Sequence, residues 1–134
     1  MNIYYDKDID YAEIFFKKVN NYGEDIADGI VAFKDEENDE IVGYAFEEAS
    51  SSVFSFKDIP TRAKVAFLLK MTREIHGFTQ EQVTKKLDGV SGRQYQRAEA
   101  GDNVSLDVID NIRIALPQAD FSKVFEPQTV KKVS

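Results

Sequence analysis

The chain has 134 residues, of which 43% are hydrophobic and ten are Phe, enough for one ordinary domain or two very small ones and too apolar for wholesale disorder. It has no Cys, which excludes disulfides, thiolate zinc sites and cysteine nucleophiles together. The net charge of −7 divides unevenly: residues 1–56 hold 4 Lys and Arg against 14 Asp and Glu, and residues 57–134 hold 13 against 10. An acidic half joined to a mildly basic one suggests two modules with different partners, although solvated charged faces alone would give the same count.

In chain order, the first half reads as strands. Asn2–Tyr5 and Tyr11–Phe16 are rich in aromatic and β-branched residues and are separated by the turn-prone Asp6-Lys7-Asp8. A polar stretch around Asn20–Asp25 leads to a strand at Gly29–Phe33. The charged run Asp35–Asp39 suits a hairpin turn before the strand Ile41–Phe46. In that strand both alternating sets include apolar residues, so one face is expected inside the domain and the other against a partner. Ser50-Ser51-Ser52 breaks the pattern, and Ser55–Pro60 reads as a connector.

From Thr61 the period becomes helical. Thr61–Ile75 lacks Gly and Pro and sets Val65, Leu68, Leu69, Thr72 and Ile75 along one face, with Gly77 as terminator. Thr79 is placed as an N-cap with Gln82 as its capping-box partner, opening a helix to about Leu87. Asp88-Gly89 makes a turn, and Ser91 caps a helix that runs to about Ala100 and stops at Gly101. Ser105 caps another, closed by Pro117, and a short helix is expected over Asp120–Phe125. Residues 127–134 read as a flexible polar tail.

The segment FTQEQVTKKLDGVSGRQYQRAEAGDNVSL carries the chemistry. Thr79, Gln80, Gly89, Val90, Ser91, Glu99, Gly101, Ser105 and Leu106 stand at the spacing of the phage-repressor-type (Xre/Cro-like) helix-turn-helix family, which the chain resembles from about Ala63 to Leu116. A recognition helix packs one face on its neighbour and turns the other to base edges. Tyr95 and Ala98 can pack inward, while Gly92, Arg93, Gln96 and Arg97 share the opposite face. Arg and Gln form bidentate contacts with guanine and adenine, so Arg93, Gln96 and Arg97 are the expected base readers, and Gly92 on the same face completes the expected base-contacting set. Gln80, Ser91 and Asn103 are expected at DNA phosphates, Gln80 through its place at a helix start. The resemblance implies the same role for Gln80, and a buried structural ion pair between Arg73 and Glu99. Four positions depart from the family pattern: Thr84 where a smaller residue is usual, Asp88 as one extra turn residue, Gly92 where a base-contacting side chain is common, and Ala98 for a larger apolar one.

Tyr5-Asp6 with Asp10, Asp28-Gly29-Ile30 and Ile41-Val42-Gly43-Tyr44 through Ala49-Ser50 resemble a small family of uncharacterised bacterial β-domains. A β-domain ahead of this kind of helix-turn-helix is also similar in layout to HicB-type antitoxins, which implies a cognate toxin as partner and repression of the chain's own operon. Asp6, Asp8 and Asp10 imitate the opening of a calcium loop, but Tyr11 and Lys17 stand where that loop needs Gly and Glu, so no metal is expected. His76 has no acid–base partner, and no catalytic signature or cofactor motif is present, so an enzyme is not expected.

The expected fold class is α+β: a small antiparallel β-domain at 1–56, then an all-α five-helix helix-turn-helix domain at 59–126. The expected function is sequence-specific binding to a palindromic operator on double-stranded DNA by a homodimeric repressor, since one such module covers only a half-site. A protein-interaction module that no longer binds DNA, and a ligand-responsive regulator, remain as alternatives. No apolar run reaches the roughly 18–20 residues of a membrane span, and MNIYYDKDID does not read as a signal peptide. A cytoplasmic protein is therefore expected.

Overall fold

In the computed structural model, which describes residues 1–125, two of the hairpin turns of the first half are built by side chains that bond their own backbone. Asp6 accepts from the amide of Asp8, Asp35 from that of Glu37 and Asn38 from that of Glu40, each at 2.9 Å. Asp10 and Asp39 take positive φ, 52° and 61°, which Asp tolerates better than most residues. Between these turns run β1 (Asn2–Asp6), β2 (Tyr11–Phe15), β3 (Asn21–Ala27), β4 (Ile30–Asp35) and β5 (Ile41–Glu47). They form one antiparallel sheet in the order β1-β2-β5-β4-β3. The chain thus leaves β2 for the far edge and returns as a meander until β5 closes on β2.

Strand β3 takes in most of the polar stretch that reads as a connection in the sequence. It lies at the sheet edge, paired only with β4 and exposed along nearly its whole length, so nothing requires apolar alternation there. Glu24, Asp25 and a register shift between Asp25 and Ala27 suit an edge that must not recruit another strand.

The inner sheet face, with Tyr5, Ala12, Ile14, Ala32, Tyr44 and Phe46, carries the core. On the outer face Phe15 stacks on Phe33, with ring centroids 4.8 Å apart. Gly43 of β5 lies against the Phe15 ring: an added Cβ would stand 2.7 Å from Phe15 Cδ1 and 2.6 Å from the Ile14 carbonyl oxygen. No side chain fits there.

The helices are α1 (Ala49–Ser55), α2 (Thr61–His76), α3 (Gln80–Thr84), α4 (Gly92–Glu99), α5 (Leu106–Ala115) and α6 (Ser122–Phe125). The α+β class holds, but the expected five-helix all-α domain is corrected. Six helices follow the sheet among the described residues, and only four have seven residues or more. The additional one, α1, occupies the serine run that reads as a break. Its serines return their hydroxyls to the backbone, Ser51 to the Glu48 carbonyl and Ser52 to that of Glu47, while Ala49, Val53 and Phe54 are buried. The tail expected at 127–134 lies outside the described residues, as does residue 126.

One hydrophobic cluster runs through both halves. Phe56, just after α1, packs edge-on against Tyr44 at 4.8 Å and Phe46 at 5.5 Å. Phe67 of α2 meets Tyr5 of β1 at 5.3 Å and Phe54 of α1 at 5.6 Å. These aromatic contacts hold α2 to the sheet. No described helix is long and apolar enough to cross a membrane.

Asp10 ties the β1–β2 turn to the start of α1. Its carboxylate accepts from the Tyr5 hydroxyl (2.9 Å), the Ser50 amide (3.0 Å) and the Ser50 hydroxyl (2.6 Å). Burial and the bonded Asp10 carboxylate push the Tyr5 phenol well above its ordinary pKa, so it stays a donor. Asp10→Ala is expected to cost about 2–3 kcal/mol in a urea titration, the usual worth of hydrogen bonds to a charged group. Asp10→Asn, which keeps one carbonyl acceptor and tolerates positive φ, should lose about half as much; equal losses would show that the bonds contribute little.

Candidate nucleic-acid interface

Local capping sets the frame of the candidate site. Thr79 accepts from the Gln82 amide at 3.0 Å while the Gln82 side chain accepts from the Thr79 amide at 2.9 Å. Ser91 and Gln94 repeat this capping box at the start of α4, at 3.1 and 3.0 Å. Gly77 and Gly101 take positive φ, 72° and 83°, and let the next amide, of Phe78 and of Asp102, bond back to Arg73 and Arg97 carbonyls. Helix α3 is shorter than its expected extent to Leu87, because the amides of Lys86 and Leu87 tighten into i→i−3 bonds on the way to Gly89.

Beneath these caps lies one buried carboxylate. Glu99 of α4 receives Arg73 Nε at 2.5 Å and Arg73 Nη2 at 2.9 Å, while Arg73 Nη1 donates to the Phe78 carbonyl at 3.1 Å. The Tyr95 hydroxyl donates to Glu99 at 2.6 Å, and Gln80 Nε2 donates to the same carboxylate at 2.8 Å. The Glu99 side chain is 5% exposed and that of Arg73 12%, so the pair is interior. Burial opposes the Glu99 charge, but hydrogen bonds from Arg73, Tyr95 and Gln80 outweigh it and hold its carboxyl below the ordinary value. The bond to Glu99 holds the Arg73 guanidinium above its usual value, and burial beside Glu99 pushes the Tyr95 phenol far up. Three helices therefore converge on one group: α2 through Arg73, α3 through Gln80 and α4 through Tyr95 and Glu99.

The Arg73–Glu99 pair is the one the resemblance implies, while sequence reasoning missed Tyr95 and Gln80 as its partners. The available signal for Tyr95 was its place four residues before Glu99, on the same helix face. Gln80 lies in this network, leaving one amide hydrogen for an outside acceptor.

Tyr95 and Ala98 are buried on the inner face of α4, and Arg93, Gln96 and Arg97 are exposed on the other. Arg93 and Gln96 have no side-chain partner among the described residues. Arg97 Nε reaches Asp102 Oδ2 at 3.5 Å, with both side chains more than half exposed. Such a pair contributes only about 0–1 kcal/mol, so the Arg97 guanidinium can leave it for a better acceptor. Gly92 opens α4 beside Thr84: a Cβ there would sit 3.6 Å from Thr84 Cγ2, in ordinary contact. Thr84 thus faces the residue without a side chain. Ser91 and Asn103 are exposed at the two ends of α4, and the Ser91 hydroxyl hydrogen is free of its cap. His76 stacks on Phe78, and Lys86 lies over the same ring at 4.7 Å.

Because the buried pair is satisfied on both sides, removing one partner strands a charge. Arg73→Met and Glu99→Gln are each expected to cost about 3–5 kcal/mol in a denaturant titration, with the double change to apolar residues recovering much of it. Single losses within about 0.5 kcal/mol, the range of surface substitutions, would remove the pair from the framework. The depressed Glu99 carboxyl also fixes a sign in pH. Its contribution is complete above the ordinary value of 4.5 and falls as pH drops through the lower folded value. Below pH 4.5 the parent should therefore lose stability more steeply than the apolar double variant; parallel curves would contradict this.

The chain matches no protein-family model, no curated protein and no solved structure.

Proposed function

We propose that this chain is a sequence-specific DNA-binding repressor, acting as a cytoplasmic homodimer on a palindromic operator and without catalytic activity of its own. The observation that supports this most is the outer face of α4. Arg93, Gln96 and Arg97 stand exposed and free or weakly paired there, on a helix whose inner face is anchored by Tyr95 and Glu99. Exposed Arg and Gln on a rigid helix are suited to bidentate reading of guanine and adenine in the major groove. Ser91 and Asn103 at its two ends, with the remaining amide hydrogen of Gln80, are the proposed phosphate contacts that fix its register. Gly92, between Ser91 and Arg93, would let the DNA backbone or a base approach closely.

The outer sheet face favours a protein partner as well. Tyr11, Phe15, Val31 and Phe33 lie half-exposed there, with Glu13, Asp25 and Glu47 on the same face. An apolar centre with an acidic margin suits a basic polypeptide. We propose a cognate toxin in that role, which makes the repressor an autoregulating antitoxin.

A mobility-shift titration of the full chain on DNA from upstream of its own gene, with random duplex as competitor, tests the reading. Retained complexes are expected at physiological salt. Arg93→Ala and Arg97→Ala should each relax preference at one base position by roughly 1–3 kcal/mol, whereas Asn103→Ala should weaken all sequences alike. Absence of any retained complex from folded protein would defeat the proposal. Base preference that moved with Asn103 but not with either Arg would reverse the assigned roles.

A further inference from the structure

The acidic half has one place where positive charge is left free. Of its four basic side chains, Lys7 faces Asp8 at 3.6 Å and Lys34 is paired with Glu24. Lys17 and Lys18, in the loop after β2, are exposed and have no carboxylate partner among the described residues. That loop lies beside the exit of α4. A cleft of about 310 Å³ is walled by Met1, Phe16, Arg62, Gly101, Asp102 and Asn103. A second cleft of about 400 Å³ shares Met1 and Phe16 with the first and continues along Lys17, Lys18 and Asn21. The Met1 side chain lies so close to Gly101 that a Cβ on that glycine would collide with it. The juxtaposition is therefore a packed contact between Met1, just before β1, and Gly101, just after α4.

Arg62, at the start of α2, is also exposed and without an ion-pair partner among the described residues. The cleft also holds one carboxylate, Asp102, which Arg97 faces at 3.5 Å and which reduces the net positive charge there. Arg62 and the Asn103 amide thus border the cleft at the end of the helix proposed to read bases, and Lys17 and Lys18 line the cleft that adjoins it through Met1 and Phe16. Lysines in this setting are point charges that bind a phosphodiester without sequence preference, and each one neutralised adds to the salt dependence of binding.

We infer that Lys17 and Lys18, with Arg62 and Asn103, grip the phosphate backbone of duplex DNA beside the base-reading helix, so that the acidic half takes a direct part in DNA binding. This rests on the DNA-binding reading above. It also gives the charge division a physical meaning: the net repulsion of the first half acts from its other surfaces, and its free lysines are at the side facing the duplex.

The test uses the full chain, the parent and two variants of equal charge change, Lys17→Gln/Lys18→Gln and Lys7→Gln/Lys34→Gln. Binding to the upstream duplex and to a random duplex of equal length is followed from low to physiological salt. Losing two phosphate contacts should flatten the plot of log affinity against log salt by about 1.8 per chain. Affinity for both duplexes should fall on the order of ten-fold or more at physiological salt, with base preference unchanged. The Lys7/Lys34 variant should keep the parent's slope, provided its thermal unfolding shows it folded. Equal slopes for the parent and the Lys17/Lys18 variant would overturn the inference, as would an equal flattening in both variants, which would reduce the effect to net charge. A folded parent that bound neither duplex would overturn the DNA-binding reading itself, a distinguishable result.

Discussion

The carboxylate of Glu99 is the group on which the helical half depends. A charge at this depth is tolerated only when its lone pairs are filled, and here four donors from three helices fill them. The geometry that satisfies Glu99 also fixes α4 against α2 and α3. The direction in which Arg93, Gln96 and Arg97 point then follows from a network none of them joins. An apolar pair of the same volume could stabilise as well, but would not dictate one arrangement so narrowly. Arg73 contributes a planar fork that also reaches the Phe78 carbonyl, which ties the loop between α2 and α3 to the same centre.

A second constraint couples this centre to the sheet. Helix α2 presents Arg73 to α4 near its C-terminal end and Phe67 to Tyr5 and Phe54 nearer its middle. The Tyr5 hydroxyl reaches Asp10, and Asp10 holds Ser50 at the start of α1. The continuous core means that sheet and helices share burial that neither half would have alone. It also brings Met1 and the loop after β2 to the exit of α4, a placement that simple division into an acidic and a basic module conceals.

The legible parts of the sequence were those governed by local chemistry. Thr79, Ser91 and Ser105 cap their helices because a side-chain oxygen beside a free amide needs no tertiary context, and Gly77 and Gly101 end theirs because positive φ favours glycine. What remained hidden depends on neighbours distant in the chain. Helix α1 is a serine run that becomes helical because Ala49, Val53 and Phe54 have a sheet to bury against. Strand β3 lacks a hydrophobic pattern because an edge strand buries little. In the candidate site, the inward turn of Gln80 and the matching of Thr84 to Gly92 arise from helix-to-helix packing, and neither residue signals it by type.

The central claim is that the outer face of α4 meets DNA while the Glu99 network stays intact beneath it. Amide and side-chain chemical-shift mapping of the full chain, titrated with duplex from upstream of its gene, addresses this directly. The account predicts shifts concentrated at Arg93, Gln96, Arg97 and Asn103, with the hydrogen-bonded Tyr95 hydroxyl and Arg73 Nε signals retained. Shifts confined to the outer sheet residues around Phe15 and Phe33, or loss of the buried signals on binding, would contradict it.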